Sequence, residues 1–304
     1  MGFYKTNKKE VLTLQLISQI LGKIKLNYAP QEPQWAHVIL NITTRGFSTG
    51  TLKCNGLYFE IEANLADNVI TIRTTDSENN VQLTDGKSVR DYYYEIITVT
   101  QDLGLDIVIN KKPQEMDTKA PFNKDTEHHH YDRQVASEIL KWFQFANDAE
   151  QKFIAPLRKR KVYPGLFWGT FDVSCILIYK EHEPFHDDTK VIERAAFDEH
   201  MVEFGFWLGD DSFEHPTFFV LPYPFVSGQK LEVTEEFPEG SYFSEQMAEY
   251  LIEIETDLSE VKPEPIIQFF DASFVKSAEY LNWQETDYCY KELKMDKNYR
   301  NKKH

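Results

Sequence analysis

The first recurring pattern in the sequence is helical. Between residues 10 and 26, apolar side chains return every three or four positions, which places them on one face of an amphipathic helix. The residues of this stripe are Leu14, Ile17, Ile20, Leu21 and Ile24. Pro30 and Pro33 follow, and proline does not continue a helix. The pattern therefore predicts a first helix that ends before residue 30.

The next stretch alternates between apolar and polar residues, as strands with one buried face do. The predicted strands span residues 37–44, 58–65, 69–75 and 79–83. Ser88, with Asp91 three residues later, has the signature of a helix N-cap. We therefore expect a helix after Ser88 that ends at Gly104, followed by a short strand over residues 105–109.

A polar stretch over residues 110–130 interrupts the pattern, and then the same order of elements returns. Asp132 can cap a long helix that runs to about Leu157, because apolar residues follow helical spacing there. Further strands are predicted over residues 167–179, 201–208, 217–223 and within 247–254. A last helix is predicted over residues 264–282.

Each half of the chain thus reads as a helix, about four strands and a second helix. We place the halves at residues 1–110 and 131–290, with a linker over 111–130 and a flexible basic tail over 291–304. Helical periods mixed with antiparallel-type alternation favour an α+β fold over a parallel βαβ fold. The matching order suggests an internal duplication, although many α+β chains can be divided into similar halves.

Several segments resemble an uncharacterised bacterial family that is known only as a domain of unknown function. These segments are Gln34-Trp-Ala-His-Val38, Thr44-Arg-Gly46, Tyr131-Asp132, Phe167-Trp-Gly-Thr-Phe-Asp172, Pro184-x-His186 and His200…Gly205-Phe-Trp-x-Gly209. The resemblance extends from about residue 11 to Trp283, and the block that ends at Asp172 is its most specific part. It implies one folded unit, and it implies no particular activity.

Composition and charge exclude several classes of protein. Of the 304 residues, 41% are apolar, which is enough to build a core. The formal net charge of −16 repels a phosphate backbone, so we expect no nucleic-acid binding. There is no apolar run of membrane-spanning length and no secretory signal in the first residues, so we expect a cytoplasmic protein outside the membrane.

One short motif matches the residue types and spacing of a zinc-binding sequence. His182-Glu-Pro-Phe-His186 matches the pattern of a zinc protease, which needs both histidines on one helical face. Pro184 lies in the middle and disrupts such a helix. We therefore expect a surface loop, and His186 stays a candidate because the resemblance includes it.

Alternation along two strands predicts a polar cleft. The apolar faces carry Val38, Leu40 and Ile42 in one strand and Phe171, Val173, Cys175 and Leu177 in the other. The opposite faces carry His37, Asn41, Thr43 and Arg45 in the first strand and Trp168, Thr170, Asp172 and Ser174 in the second. If these faces meet between the halves, they form a cleft that suits a small molecule. A sheet with one solvated face gives the same alternation, but such faces usually hold more lysine and glutamate.

Candidate roles follow from the chemistry of these side chains. His37 or His200 is the natural proton carrier, because imidazole titrates near neutrality. Asp172 would orient that imidazole or act as a base, and Arg45 would hold an anionic group. The further ligand-contact candidates are Trp168, Thr170 and Trp207.

A metal-dependent version of the site is a second hypothesis. It would place a divalent ion among His37, His186 and His200, with Asp172 or Glu203 as the carboxylate ligand. The cofactor, the reaction, the oligomeric state and whether the chain is an enzyme at all are left open by the sequence.

The alternative from another class is a non-catalytic interaction protein. Residues 181–260 carry 21 acidic and 3 basic side chains. Such a surface could dock a basic partner. The best hypothesis from the sequence remains small-molecule binding in a polar cleft between the two halves.

Overall fold

The computed structural model describes residues 2–226 and 231–293. Most of the tail that is predicted to be flexible, from residue 294 on, lies outside the described residues. The α-helices are α1 Phe3–Tyr28, α2 Val89–Asp102, α3 Arg133–Ile154, α4 Val191–Ala196 and α5 Pro263–Tyr280. In the described ranges, no helix is both long and apolar enough to cross a lipid bilayer.

Two antiparallel sheets of six strands make up the rest of the fold. The first sheet contains β1 Asn41–Ile42, β2 Gly46–Ser48, β3 Leu52–Cys54, β4 Leu57–Asn64, β5 Val69–Thr74 and β6 Glu78–Gln82. The second contains β7 Arg160–Phe167, β8 Asp172–His182, β9 Glu199–Trp207, β10 Thr217–Tyr223, β11 Tyr242–Ser244 and β12 Glu249–Glu253. The predicted α+β class is confirmed.

Each half has a long helix, six strands and a second long helix, but the strand orders differ and the short helix α4 interrupts the second half between β8 and β9. In the first sheet the order is β1-β2-β4-β5-β6, and β3 pairs with a different part of β4 than β2 does. In the second sheet the order is β7-β8-β9-β10-β12-β11. Each sheet is preceded by one long helix and followed by another, an arrangement that is consistent with duplication.

The sheets are joined where β1 approaches β7. Leu40 and Leu166 exchange two backbone hydrogen bonds of 3.0 and 2.8 Å between nitrogen and oxygen. Gly165 leaves room for this approach, because a Cβ at that position would lie 2.8 Å from the carbonyl oxygen of Leu40. The two halves therefore meet through backbone as well as through side chains.

Helix α1 lies at the centre of the molecule. Every residue from Thr13 to Ile24 is buried, so the helix is enclosed on all sides rather than along one stripe. A helix that is buried all round belongs to the interior of a protein. The main hydrophobic core is one cluster that contains side chains of α1 and of both halves.

Both predicted helix caps are confirmed. The Ser88 side chain accepts a hydrogen bond from the backbone nitrogen of Asp91, and the Asp91 carboxylate accepts one in return, which completes a capping box at α2. The Asp132 carboxylate accepts hydrogen bonds from the backbone of Gln134 and Val135 at the start of α3. These short-range signals set the first residue of each helix.

The strand predicted over residues 37–44 is wrong over most of its length. Residues Pro33–Val38 form a 3-10 helix in which Gln34 and Trp35 have left-handed backbones, with φ of 51° and 55°. The Trp35 indole nitrogen donates to the carbonyl oxygen of Ile192 at 3.0 Å. Contacts with a distant segment therefore override the local alternation.

The short strand predicted over residues 105–109 is also wrong. This segment is irregular, although Leu105, Ile107 and Ile109 alternate into the core. Two of its carbonyl oxygens accept hydrogen bonds from side chains of α1: Tyr28 binds that of Asp106 at 3.1 Å and Asn27 that of Val108 at 2.7 Å. Side chains at the C-terminal end of α1 thus supply the hydrogen bonds that a partner strand would otherwise provide.

The packing of α3 gives a first prediction, on Trp142→Ala. Trp142 is 5% exposed, and its ring stacks on Phe206 of β9 with centroids 5.5 Å apart. Removing a buried aromatic side chain leaves a cavity, so we expect a loss of about 3–5 kcal/mol in the free energy of unfolding. Urea denaturation measures this loss. The exposed neighbour Lys141→Ala serves as control, and equal midpoints for the two variants would contradict the packing described.

Candidate functional site

A large cavity lies between the N-terminal part of α1 and one face of the second sheet. Its volume is about 1390 Å³. Residues 114–119, the turn between β7 and β8, helix α4 and residues 208–212 complete its walls. The cavity is partly open to solvent, and its volume exceeds the roughly 300–1,000 Å³ of most small-molecule pockets.

Three carboxyl groups project from one face of the second sheet into this cavity. They are Asp172 on β8, Glu203 on β9 and Glu249 on β12. Glu203 pairs directly with Ile176, which is four residues from Asp172, so the alternation of strands places both side chains on the same face. Together with Glu115, which follows below, they are called the inner acidic cluster.

Asp172 is the most enclosed member of the cluster. It is 6% exposed, and its carboxylate accepts hydrogen bonds from the hydroxyl groups of Thr170 and Ser174. Burial raises the pKa of Asp172, and the two hydroxyl donors oppose that rise because they stabilise the charged form. The turn that precedes β8 thus presents a carboxylate that is both desolvated and held in place.

Two causes raise the pKa values of both Glu203 and Glu249: burial and the negative charge of Asp172. Burial raises the pKa of Glu249 to about 8, and the nearby Asp172 adds to the rise. Burial also raises the pKa of Glu203 well above its usual range, again with a contribution from Asp172. Within the described ranges, neither side chain forms an ion pair. Because no basic side chain offsets it, repulsion from the Asp172 carboxylate adds to desolvation in raising the pKa values of Glu203 and Glu249.

Glu115 completes the cluster from the segment predicted to be a linker. Its side chain is accessible from the cavity, yet protein atoms surround it on most sides, and this burial raises its pKa to about 7. Its backbone is left-handed, with φ of 55°. Gly169 makes the position possible, because a Cβ there would collide with the Glu115 carboxylate.

A polar stripe on α1 holds these segments together. Gln15, Gln19 and Lys23 lie four residues apart and therefore share a helix face, and all three are buried. The Gln15 and Gln19 amides donate to the carbonyl oxygen of Gly169 at 2.7 and 3.2 Å. Gln19 also exchanges two hydrogen bonds, of 2.8 and 3.0 Å, with the backbone of Gln114.

Lys23 continues the stripe. Its ammonium group donates to the side-chain oxygen of Gln114 at 2.9 Å and lies 5.5 Å from the ring centre of Trp168. Burial lowers the pKa of Lys23 to about 8, and the nearby Glu115 opposes that change. The lysine thus supports the segment that carries Glu115.

Trp168 packs against α1 at a glycine. A Cβ at Gly22 would collide with the Trp168 ring, so the indole lies directly on the helix backbone. The indole nitrogen donates to the carbonyl oxygen of Val38 at 3.0 Å. This contact fixes the turn from which Thr170 and Asp172 reach the cavity.

Aromatic side chains form another wall of the cavity. Trp207 contacts Phe219 and Phe213, with ring centroids 5.4 and 5.5 Å apart. Gly205 leaves space for Phe219, whose ring would collide with any Cβ at that position. The cavity therefore combines carboxyl groups with aromatic faces.

Five residues named as candidates from the sequence line this one cavity. They are Trp168, Thr170, Asp172, Glu203 and Trp207. Along β8, Val173 and Cys175 belong to the main core, whereas Asp172 lies on the opposite face and binds the Ser174 hydroxyl; Trp168, assigned to that polar face from the sequence, packs in the core as well. The predicted strand over residues 37–44 does not face Asp172. Helix α1 and residues 114–119 line that side of the cavity instead.

The remaining candidates lie elsewhere. Arg45 is exposed and pairs with Asp67, and it is not among the lining residues. His37 is buried beside Trp35, and its Nδ1 accepts a hydrogen bond from the backbone nitrogen of Glu32 at 3.1 Å. Burial lowers the pKa of His37. The structure therefore does not bring Arg45 or His37 to Asp172.

The other two histidines lie near one glutamate. The nearest side-chain distances to the Glu183 carboxylate are 3.8 Å from His186 and 4.0 Å from His200. Across residues 2–226 and 231–293, no three histidine, cysteine or carboxylate side chains come close enough to hold a metal ion. As expected, residues 183–186 form an irregular segment after β8 rather than a helix.

Sequence reasoning missed Glu115, Glu249 and the polar stripe on α1. Glu115 lies in the predicted linker over residues 111–130, and Glu249 lies in a strand that the sequence places only approximately, within residues 247–254. One signal was available: Gln15, Gln19 and Lys23 recur at intervals of four within an otherwise apolar helix. Such a stripe indicates buried polar contacts, although not their partners.

Comparison with known proteins gives one match. A family model described as a family of unknown function (DUF5996) matches residues 3–289. A search of curated proteins finds no significant match. A search of solved structures likewise finds none.

The stripe on α1 gives a second prediction, on Gln19→Leu. The change removes the amide that binds the backbone of Gln114 and Gly169, so the two Gln114 groups lose these partners, whereas the Gly169 carbonyl keeps its bond from Gln15. We expect a loss of about 1–3 kcal/mol in the free energy of unfolding, which urea denaturation measures. The same change at the exposed Gln101 is the control. A Gln19→Leu protein as stable as this control would contradict the role of the stripe.

The raised pKa of Glu249 gives a third prediction. A carboxyl group whose pKa is higher in the folded than in the unfolded protein destabilises the fold as the pH rises between the two values. For Glu249 this window extends from about 4.3 to about 8. We expect Glu249→Gln to lose less stability than the unchanged protein between these limits, as measured by urea midpoints at several pH values. The exposed Glu138→Gln should keep the original pH profile, and an unchanged profile in Glu249→Gln would refute the assignment.

Proposed function

We propose that this chain, which belongs to the DUF5996 family of unknown function, binds a small organic cation in the cavity beside α1. One observation carries the proposal. Asp172, Glu203 and Glu249 face the same cavity, and in the described part of the chain none of them pairs with a basic side chain. A positively charged ligand supplies the missing partner.

The charge of the whole cavity supports this assignment. Nine carboxyl groups, two lysine ammonium groups and the His128 imidazole line it, and the hydrogen bond to Asp125 raises the pKa of His128. One of these lysines, Lys8, is already paired with Asp211 at 2.6 and 2.7 Å. Walls of one sign focus the electrostatic potential inside a cleft and raise the local concentration of the opposite ion.

The aromatic wall favours an organic cation over a bare ion. Ammonium groups are attracted to the faces of tryptophan and phenylalanine, and an alkyl chain gains from the same apolar surface. Trp207 and Phe219 provide such faces beside Glu203. The ligand that fits best therefore has both a cationic group and an apolar part.

Binding of a cation is expected to be coupled to proton release. Without a partner, the pKa values of about 7 for Glu115 and about 8 for Glu249 keep a fraction of these carboxyl groups protonated near neutrality. A bound positive charge favours the ionised form of each carboxyl group. Affinity should therefore rise with pH across this range.

The same carboxyl groups bear on the alternative of docking a basic protein. Glu203 and Glu249 belong to the acidic second half of the chain, but they face the cavity rather than the outer surface. Burial is the largest cause of the rise in their pKa values. Groups placed in this way suit a ligand small enough to enter.

A fourth prediction tests the charge of the ligand with three four-carbon compounds. We expect n-butylamine to bind by isothermal titration calorimetry, whereas n-butanol and butyrate bind much more weakly, because only the amine offers a positive charge to the carboxylates. Glu203→Gln should weaken binding of the amine roughly tenfold or more, since a hydrogen bond to a charged group contributes about 1.5–3 kcal/mol.

Glu138→Gln provides the matched control, because it removes one exposed carboxylate of α3 and leaves the cavity unchanged. Its affinity for n-butylamine should equal that of the unchanged protein. Equal binding of the amine, the alcohol and the acid, or no effect of Glu203→Gln, would refute a cation site in this cavity.

A further inference from the structure

We infer that the cation is a linear diamine or polyamine, with one ammonium group at the inner acidic cluster and another at a second group of carboxylates nearer the solvent. This inference rests on the proposed function, since it specifies the ligand of the same cavity. It follows from two separate negative regions with an apolar wall between them.

The second region, here called the outer acidic group, consists of Asp117, Asp210 and Asp211. All three line the cavity and are exposed to solvent. They lie around Tyr4, where their charges add to burial in raising the pKa of its hydroxyl group. Lys8 pairs with Asp211 only, so two carboxylates of the group keep their charge available.

The aromatic wall connects the outer group with the inner one. Phe213 does not itself line the cavity, but its ring contacts Trp207 and its backbone nitrogen donates to Asp210 at 2.8 Å, so Trp207 lies close to the outer group. Trp207 contacts Phe213 and also Phe219. Phe219 reaches the inner end, because its ring and the Ser174 hydroxyl both fill the space above Gly205. A methylene chain that follows this wall passes from one acidic region to the other.

At the inner end, Glu203 lines the cavity, is half-buried and has no basic partner among the described residues. The neighbouring Ser174 hydroxyl already donates its hydrogen to Asp172. The indole nitrogen of Trp207 is likewise buried without a hydrogen-bond partner in the described part of the structure. An ammonium group with three donors satisfies Glu203 and Asp172 together.

Two features oppose a compact ion as the occupant. The cavity volume of about 1390 Å³ exceeds what one hydrated ion needs. Among the described residues, the carboxyl groups are not arranged closely enough to coordinate a metal. An extended ligand with charge at both ends uses the length of the cavity, whereas a monovalent amine uses one end only.

The test compares 1,4-diaminobutane, spermidine and n-butylamine by isothermal titration calorimetry at low salt, with Mg²⁺ as a compact divalent cation. We expect the diamine or spermidine to bind roughly ten- to a hundredfold more tightly than n-butylamine, because a second charge-assisted contact is formed. Mg²⁺ should bind no more tightly than n-butylamine.

The double variant Asp117→Asn/Asp210→Asn removes charge from the outer group only. An asparagine at position 210 can still accept the backbone hydrogen bonds of Ser212 and Phe213, so the loop is preserved. We expect this variant to bind diamine and monoamine alike, with n-butylamine affinity unchanged. Glu203→Gln should weaken both ligands.

The outcomes separate this inference from the proposed function. Equal affinity for n-butylamine and the two polyamines, with loss of binding in Glu203→Gln, overturns the polyamine assignment and leaves the cation site intact. Mg²⁺ bound as tightly as the diamine also overturns it, because charge alone would then explain binding. If none of the amines binds, both the proposed function and this inference fail.

Discussion

The burial of α1 from Thr13 to Ile24 is the constraint on which the rest of the structure depends. A helix enclosed on all sides must match its neighbours at every turn, because protein interiors are close-packed. Trp168 rests on the backbone at Gly22, and no larger residue fits there. The helix therefore fixes the turn between β7 and β8, and with it the position of Asp172.

The polar residues of α1 connect the core with the candidate site. Buried amides and ammonium groups are costly unless they are paired, and here Gln15, Gln19 and Lys23 find partners in Gln114 and Gly169. Those partners lie beside Glu115 and Trp168. These hydrogen bonds offset the cost of burying the polar side chains of α1, and they also position two walls of the cavity.

The sequence predicts best those features that depend on neighbouring residues, such as the first residue of a helix. Ser88 and Asp132 set helix starts through their own side chains, and the alternation along β8 separated Asp172 from the core. The strand over residues 37–44 failed because Trp35 bonds to a segment more than 150 residues away. Glu115 and Glu249 reach the cavity only through such distant contacts, so no local pattern identified them.

The contacts of α1 also have a consequence for how the chain folds during synthesis. Gln15 and Gln19 bind groups that lie 95 to 154 positions further along the chain. Contacts of such long range form slowly, because the intervening chain must first be closed into a loop. The first helix emerges from the ribosome long before Trp168 exists, and until then its apolar and amide side chains lack their final partners. A nascent chain of this kind exposes hydrophobic surface for as long as its second half is missing, and such surface promotes aggregation.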